Sequence, residues 1–331
     1  MKRILIYSNG DTFGDALLKL PAIGGLRQAL PDARLIWLAG RGPTLYASTF
    51  AYSANRWLDE VIDRAGIGER WSELLGARPL DGHEFDIVID TQQYLRTTLI
   101  LRRVRHRVFV SAAAGFRLSD RRPPEGRCPW HVQDRLLQLF SLAAGREVLP
   151  ASRIPIPEDA RGLAMRLLPP GPAYVGLAPG AGGREKIWPL EGFLEVGRRL
   201  LASDRVPVFF LGPDEHALLS AIRESLPQAR FPEWEVGKAQ RGPYLVMALA
   251  ARLQAAVAND SGTGHMLAAG GAPLVSLFGP SNPDKFAPRA RRSRILRAAD
   301  FGSSRMDAIP TDAVFEALES LCEPDSRCAS S

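Results

Sequence analysis

A chain of 331 residues, 46% hydrophobic, 24% charged and 8% aromatic, has the composition of a soluble globular protein and the length for two cores of about 150 residues each. No apolar run reaches the roughly 20 residues of a membrane-spanning helix, and the start at Met1-Lys-Arg-Ile-Leu-Ile-Tyr7 reads as a first strand rather than a signal peptide. Net charge is +6, of which residues 1–150 hold +5, with 21 Lys and Arg against 16 Asp and Glu. Residues 91–130 alone carry nine Arg and two acids. Such a field suits an anionic partner (nucleic acid, an acidic membrane surface or a phosphorylated substrate), although any one Arg is as readily part of a solvated face. Cys128, Cys322 and Cys328 show no metal-ligand spacing, so no metal site is expected, and reduced thiols point to the cytoplasm.

Residues 3–7 predict a buried strand, followed by a turn over 8–14 and a helix over 15–30 with apolar spacing at Leu17, Leu20, Ile23 and Leu26. Pro31-Asp32 ends that helix, and 34–38 is the next strand. Further strands are predicted at 85–90 and 107–110 with an amphipathic helix, 93–105, between them. An Arg-, Pro- and Gly-rich loop over 117–130 and a helix over 133–144 follow. Proline density then rises, predicting a linker at 156–172 between domains 1–155 and 173–322. The second half repeats the alternation: strand 174–178, helix 190–201, strand 207–211 and a helix running to 226. A compact unit of strand 253–258, tight turn, small-residue helix 265–269 and strand 273–278 comes next, then a last helix at 311–321 and a disordered tail at 323–331. This order describes two α/β domains, each a parallel sheet covered by helices.

Three turns in the second half follow the carboxyl ends of parallel strands, where open α/β sheets bind ligands. In Pro179-Gly-Ala-Gly-Gly183, the glycines at 180, 182 and 183 let backbone N–H groups approach a phosphate, and Lys186 would supply a positive charge to a leaving diphosphate or be a surface lysine. In the turn opened by Gly212, Glu215 could accept ribose hydroxyls or simply favour a helix N-terminus. In Asp260-Ser-Gly-Thr-Gly-His265, the helix start offers free N–H groups and a positive dipole end to a diphosphate, although Asp260 or Ser261 could be only the cap of a buried helix. None of these turns is GxGxxG or GxxxxGK[ST], which disfavours a nicotinamide site and a P-loop kinase. In the first half, Asp11 and Asp15 flank a strand-to-helix turn. Either could cap the helix, or take a proton from an attacking hydroxyl.

Four blocks together resemble glycosyltransferase family 9, the ADP-heptose:lipopolysaccharide heptosyltransferases. They are Phe13-Gly-Asp-Ala-Leu-Leu-Lys-Leu-Pro-Ala22; Leu177-Ala-Pro-Gly180 with Lys186-Ile-Trp-Pro189; Leu211-Gly-Pro213; and Asn259-Asp-Ser-Gly-Thr-Gly-His265 with Leu277-Phe-Gly-Pro280. Their order and spacing span residues 3 to about 320. The resemblance implies a GT-B fold, two Rossmann-like parallel-sheet domains facing across a cleft, with the acceptor in the N-terminal domain and the nucleotide sugar in the C-terminal one. It also implies inverting, metal-independent transfer with no cofactor beyond the co-substrate, ADP-heptose. On this sequence Asp15 matches the catalytic base and Lys186 the phosphate-contacting lysine. Asp260, Ser261, Gly262, Thr263 and His265 match the donor loop, joined by Gly180, Ala181, Gly212 and Glu215. Asp11, Thr12, Arg102, Arg103 and Arg105 are then expected to hold an anionic glycolipid acceptor of the Kdo–lipid A type. A cytoplasmic protein with peripheral contact at the inner face of the inner membrane, and no nucleic-acid partner, follows from that reading. Asn9-Gly10-Asp11-Thr12 is more polar than the family's first loop, and Asp11 adds a competing carboxylate. Two alternatives share the architecture: a nucleotide-sugar 2-epimerase, and a non-catalytic nucleotide-sugar or glycolipid-binding protein.

Overall fold

Runs such as Ile4-Leu-Ile-Tyr7 and Leu35-Ile-Trp-Leu38 are apolar at every position, not at alternate ones, so a sheet built from them must be covered on both faces. The computed structural model, which describes residues 1–124, 126–212 and 215–323, has two such sheets. The chain divides into units Met1–Pro155 and Ile156 onward.

In the first unit, β1 (Arg3–Ser8), β2 (Arg34–Ala39), β3 (Glu60–Ile62), β4 (Glu84–Asp90) and β5 (Arg105–Ser111) pair in parallel in the order β3-β2-β1-β4-β5. Helices α1 (Phe13–Ala29) and α4 (Val132–Ala144) pack together. Leu5, Tyr7, Ile36, Leu38 and Val88 instead form a core with Leu101, Val104 and Phe109, at and beyond the end of α3 (Leu95–Leu101). The predicted helix over 93–105 is therefore shorter than expected. Arg102 and Arg103 turn out of it so that β5 can begin at Arg105. The short α2 (Ala51–Ala54) and β3 carried no periodic signal and were not anticipated.

In the second unit, β6 (Ala173–Ala178), β7 (Arg205–Phe209), β8 (Ala255–Asn259), β9 (Leu274–Phe278) and β10 (Ser293–Arg297) are again parallel, in the order β10-β9-β8-β6-β7. One core joins Val175, Leu177 and Phe209 to α6 (Leu190–Ala202), α7 (Leu218–Ser225) and, through Val314 and Leu318, α11 (Thr311–Cys322). The opposite core joins Tyr174, Val208 and Ala256 to α5 (Glu158–Leu167), α8 (Pro243–Ala250) and α9 (Gly262–Ala269). The predicted linker at 156–172 is thus corrected. Its middle is α5, with Ala164, Leu167 and Leu168 buried against the second sheet's core. Its flanking prolines mark the ends of a helix, not a flexible tether. A short helix, α10 (Pro283–Phe286), follows β9. Beyond Glu323 the expected tail lies outside the described residues.

Asp90, at the carboxyl end of β4, has no solvent exposure. Its carboxylate accepts from Thr98 Oγ1 (2.6 Å), Ser111 Oγ (2.9 Å) and the Gln92 N–H (2.9 Å). Loss of water pushes its pKa up to about 6, against the pull of these hydrogen bonds. Because the folded value lies above the unfolded one, the folded state retains a proton that the unfolded chain has released. Stability therefore falls as pH rises through the interval between the two values, by up to about 1.4 kcal/mol per pH unit. Urea unfolding followed from about pH 4 to pH 7 should give an Asp90→Asn variant that gains steadily on wild type up to about pH 6 and then runs parallel to it. Parallel curves throughout would refute this.

Candidate active site

In a doubly wound sheet, ligands bind where the strand order reverses, outside the carboxyl ends. In the first unit that point lies between β1 and β4, and the segment leaving β1 enters α1 there. Thr12 is the N-cap: its hydroxyl accepts the Asp15 N–H at 3.4 Å. Asp15 therefore sits in the first turn, where the helix dipole favours an anion. Its carboxylate is partly exposed, and among the described residues no hydrogen bond or ion pair reaches it.

Asp11, four residues earlier, has the opposite fate. Its side chain is 0% exposed and takes Lys19 Nζ at 2.7 Å, Thr44 Oγ1 at 2.6 Å and Ser8 Oγ at 3.4 Å. Lys19 points inward from α1 and lies over the Trp37 ring at 5.9 Å. The expectation that Asp11 contacts an acceptor is at odds with this placement, because its carboxylate is out of solvent and already engaged by Lys19, Thr44 and Ser8.

The three arginines assigned to the acceptor are also displaced. Arg102 and Arg103 precede β5 and Arg105 begins it, so all three lie at the amino end of the parallel sheet, away from Thr12 and Asp15. Arg102 donates to the Leu118 carbonyl and lies over Phe109, while Arg103 donates to the carbonyls of Glu73 and Gly76. Arg105 faces Asp81 at 3.6 Å. Position along a strand decided this, and clustering in sequence does not reveal it.

In the second unit the order reverses between β6 and β8, and the loops leaving those two strands meet. Lys186 Nζ donates to Asp260 Oδ2 at 2.7 Å, and Ser281, after β9, donates to the same oxygen at 2.6 Å. Asn259 binds the loops together: its Nδ2 donates to the Pro179 carbonyl at 2.7 Å and its Oδ1 accepts the Trp188 N–H at 3.2 Å. Ser261 caps α9, accepting the Gly264 N–H at 3.3 Å, so α9 begins at Gly262, earlier than the predicted 265. Gly262 and Thr263 are partly exposed in its first turn, and His265 is buried one residue beyond Gly264. Gly180 and Gly212 flank the Glu215 carboxylate. A Cβ on Gly180 would stand 2.3 Å from Glu215 Oε1, and one on Gly212 2.7 Å from Oε2. Gly180 and Ala181 thus border the same loop that carries Lys186, while Pro213 of the sequence block lies outside the described residues.

Asn259, Ser281 and Lys19 were not singled out from sequence, nor was Glu233. Loss of water pushes the Glu233 carboxyl up to about 7, with Arg241 opposing and Glu215 adding to the shift. An isolated Glu in a Pro-Glu-Trp turn carries no signal of that. A lysine, a helix start and a glycine-lined loop in one crevice can hold a diphosphate, while an unengaged carboxylate at a helix start can accept a proton.

The family model for glycosyltransferase family 9 (heptosyltransferase) matches residues 76–308. The chain belongs to this family. Lipopolysaccharide heptosyltransferase 1 of Pseudomonas aeruginosa is 27% identical over 326 residues, covering 90% of this chain and 84% of that protein. The family 9 glycosyl transferase of Veillonella parvula superposes with a TM-score of 0.68 at 22% identity, over 97% of each chain. The E. coli heptosyltransferase WaaC with ADP gives a TM-score of 0.68 at 19% identity, over 96% of this chain and 99% of that one. Two Rossmann-like parallel-sheet units are the GT-B architecture these structures share, and the chain is a glycosyltransferase. Membership does not favour the epimerase or the non-catalytic binder.

The two acids of the first loop should separate cleanly in unfolding experiments. Asp11→Ala leaves the Lys19 charge buried and unpaired, and should lower stability by about 3 kcal/mol or more. Asp15→Ala removes an unpartnered surface carboxylate and should change stability by no more than about 1 kcal/mol. Equal losses in urea titrations would overturn the assignment of Asp11 as structural.

Proposed function

We propose that this chain moves a heptose-like sugar from an ADP-sugar to an inner-core lipopolysaccharide acceptor, with inversion and without a metal ion. The observation that carries the reading is the Lys186–Asp260 pair at the β6/β8 crevice beside the start of α9, in a chain of this family. The relatives' names support the substrate class: P. aeruginosa lipopolysaccharide heptosyltransferase 1, and WaaC with ADP.

In this reading Asp260 holds the Lys186 ammonium in place until a donor arrives, and the lysine then passes to the diphosphate. Gly180, Ala181, Gly262 and Thr263 supply backbone N–H groups to the same oxygens, with His265 behind them. Gly212 leaves room for Glu215 to accept the ribose hydroxyls. Asp15 takes the proton of the acceptor hydroxyl as its oxygen bonds to the anomeric carbon on the face opposite the diphosphate. The anomeric carbon–oxygen bond breaks, and its electron pair leaves with the nucleoside diphosphate. Fixed N–H dipoles and one ammonium aimed at that developing charge are the groups whose interactions strengthen in the transition state. Thr12, by capping α1, keeps Asp15 in its first turn. The acceptor is lipid-linked and the enzyme works on the cytoplasmic side of the membrane.

Calorimetry with ADP, UDP and GDP tests the donor half. ADP should bind best, and Lys186→Ala should weaken it at least about tenfold, the loss of one charge-assisted contact. Preference for UDP or GDP would move the substrate to another nucleotide sugar. For the chemistry, Asp15→Asn should cut kcat by about 10²- to 10⁴-fold while leaving ADP affinity intact, as removal of a general base does. Retained turnover would exclude Asp15 as the base.

A further inference from the structure

The segment joining β1 to α1 carries one carboxylate more than the proposed chemistry uses. A second negative charge beside a general base holds that base protonated to higher pH. Asp11 is nevertheless fixed there. Its N–H donates to the Pro43 carbonyl at 3.1 Å, and its carboxylate accepts Thr44 Oγ1 at 2.6 Å. Gly10 before it has φ +127°, and a Cβ at that position would stand 3.0 Å from Gly42.

Lys19 answers this charge. Helix residues four apart share a face, with Cβ atoms about 5–6 Å apart, and their side chains lean toward the N-terminus. Lys19 is thereby directed back along α1 to the turn that holds Asp15. Its Nζ donates to Asp11 Oδ1 at 2.7 Å and to Ser8 Oγ at 3.3 Å. The two side chains are 9% and 0% exposed, so water and salt screen the pair little.

Tyr46 stands within the field of both acids. Its buried hydroxyl donates to the carbonyl of Ala16, the residue after Asp15, and burial, with Asp11 and Asp15 adding to it, holds that hydroxyl well above its usual range. The other charged or titratable groups of the elements meeting this turn are engaged or set at the head of α4. Asp63 accepts the Thr44 N–H at 2.6 Å, and Arg41 faces Glu69 at 3.6 Å. His131, Asp134 and Arg135 open α4, which packs along α1. A buried ion pair is seldom required for stability, since apolar residues of like volume commonly serve as well. Its place at the turn of Asp15 is therefore what calls for a role.

We propose that Lys19 is a positioning residue for sugar transfer: it cancels the Asp11 charge and leaves Asp15 the one uncompensated carboxylate of that turn among the described residues. The inference rests on the reading of Asp15 as the base. Transfer by the full chain is followed across pH for wild type, Lys19→Met, Asp11→Asn, the double variant and Lys19→Arg. Lys19→Met leaves Asp11 unopposed and should move the acid limb of kcat/KM up by about half to one pH unit. Asp11→Asn leaves the ammonium unopposed and should move it down by a similar amount. The double variant, with neither charge, and Lys19→Arg, with both, should keep the wild-type limb, and ADP affinity should be the same in all. A pair that only propped the fold would lower the active fraction equally at every pH and leave the limb in place. Asp11→Asn keeps an oxygen for Lys19 and Thr44, so the downward shift is read on it alone where Lys19→Met does not fold. Asp15→Asn is assayed alongside. Coincident limbs with an inactive Asp15→Asn overturn the role of Lys19 and leave the base assignment standing. Wild-type turnover by Asp15→Asn overturns the base assignment, and the role of Lys19 with it.

Discussion

One buried amide governs the geometry of the second unit's crevice. Asn259 ends β8 with no exposed surface to speak of, so its donor and acceptor must both find protein partners. They find the Pro179 carbonyl and the Trp188 N–H, the two ends of the loop that leaves β6. That loop has no regular structure of its own beyond a short turn at Arg184–Lys186, and the amide gives it a fixed path. Trp188 completes the anchor: its indole N–H donates to the Ile309 carbonyl and its ring packs on Phe193 and against Gly192, where a Cβ would stand 2.5 Å away. The reach of Lys186 to Asp260 follows from these constraints.

The first unit shows a buried network deciding chemistry by exclusion. Asp11 and Asp15 share a charge and lie four residues apart, on a loop and in a helix's first turn. Lys19, one helical turn beyond Asp15, points inward and claims Asp11. A buried ammonium and carboxylate that satisfy each other are costly to separate. Asp15 is left partly exposed at a capped helix start and, among the described residues, without a hydrogen-bond or ion-pair partner. Tyr46, whose hydroxyl donates to the Ala16 carbonyl at 2.8 Å, braces the same turn from below.

Topology then separates functions that sequence lumps together. Parallel strands put all loops that follow a strand at one end of the sheet and all segments that precede a strand at the other. The loop after β1 and the α3–β5 junction therefore cannot share a site, although both are polar and both belong to the first unit. The basic junction therefore lies at the opposite end of the first sheet from Asp15.

Apolar runs and glycine turns made most strands legible, together with the parallel α/β class and the loops after β6 and β8, because a strand buried on both faces must be apolar throughout. The motif around Asp260 announced its own turn, since a Ser-Gly-Thr helix start depends on neighbours within a few residues. What escaped were elements whose partners are distant. β10 is an edge strand with three exposed residues, α8 is apolar around its whole circumference, and α5 was masked by the prolines that bound it. Sequence alone supplied the residue types proposed for phosphate, ribose and proton chemistry. Tertiary structure decided which of two aspartates is free, which arginines face away from it, and which amide holds the loops together. Burial and strand direction are properties of residues far apart in the chain, and no local pattern records them.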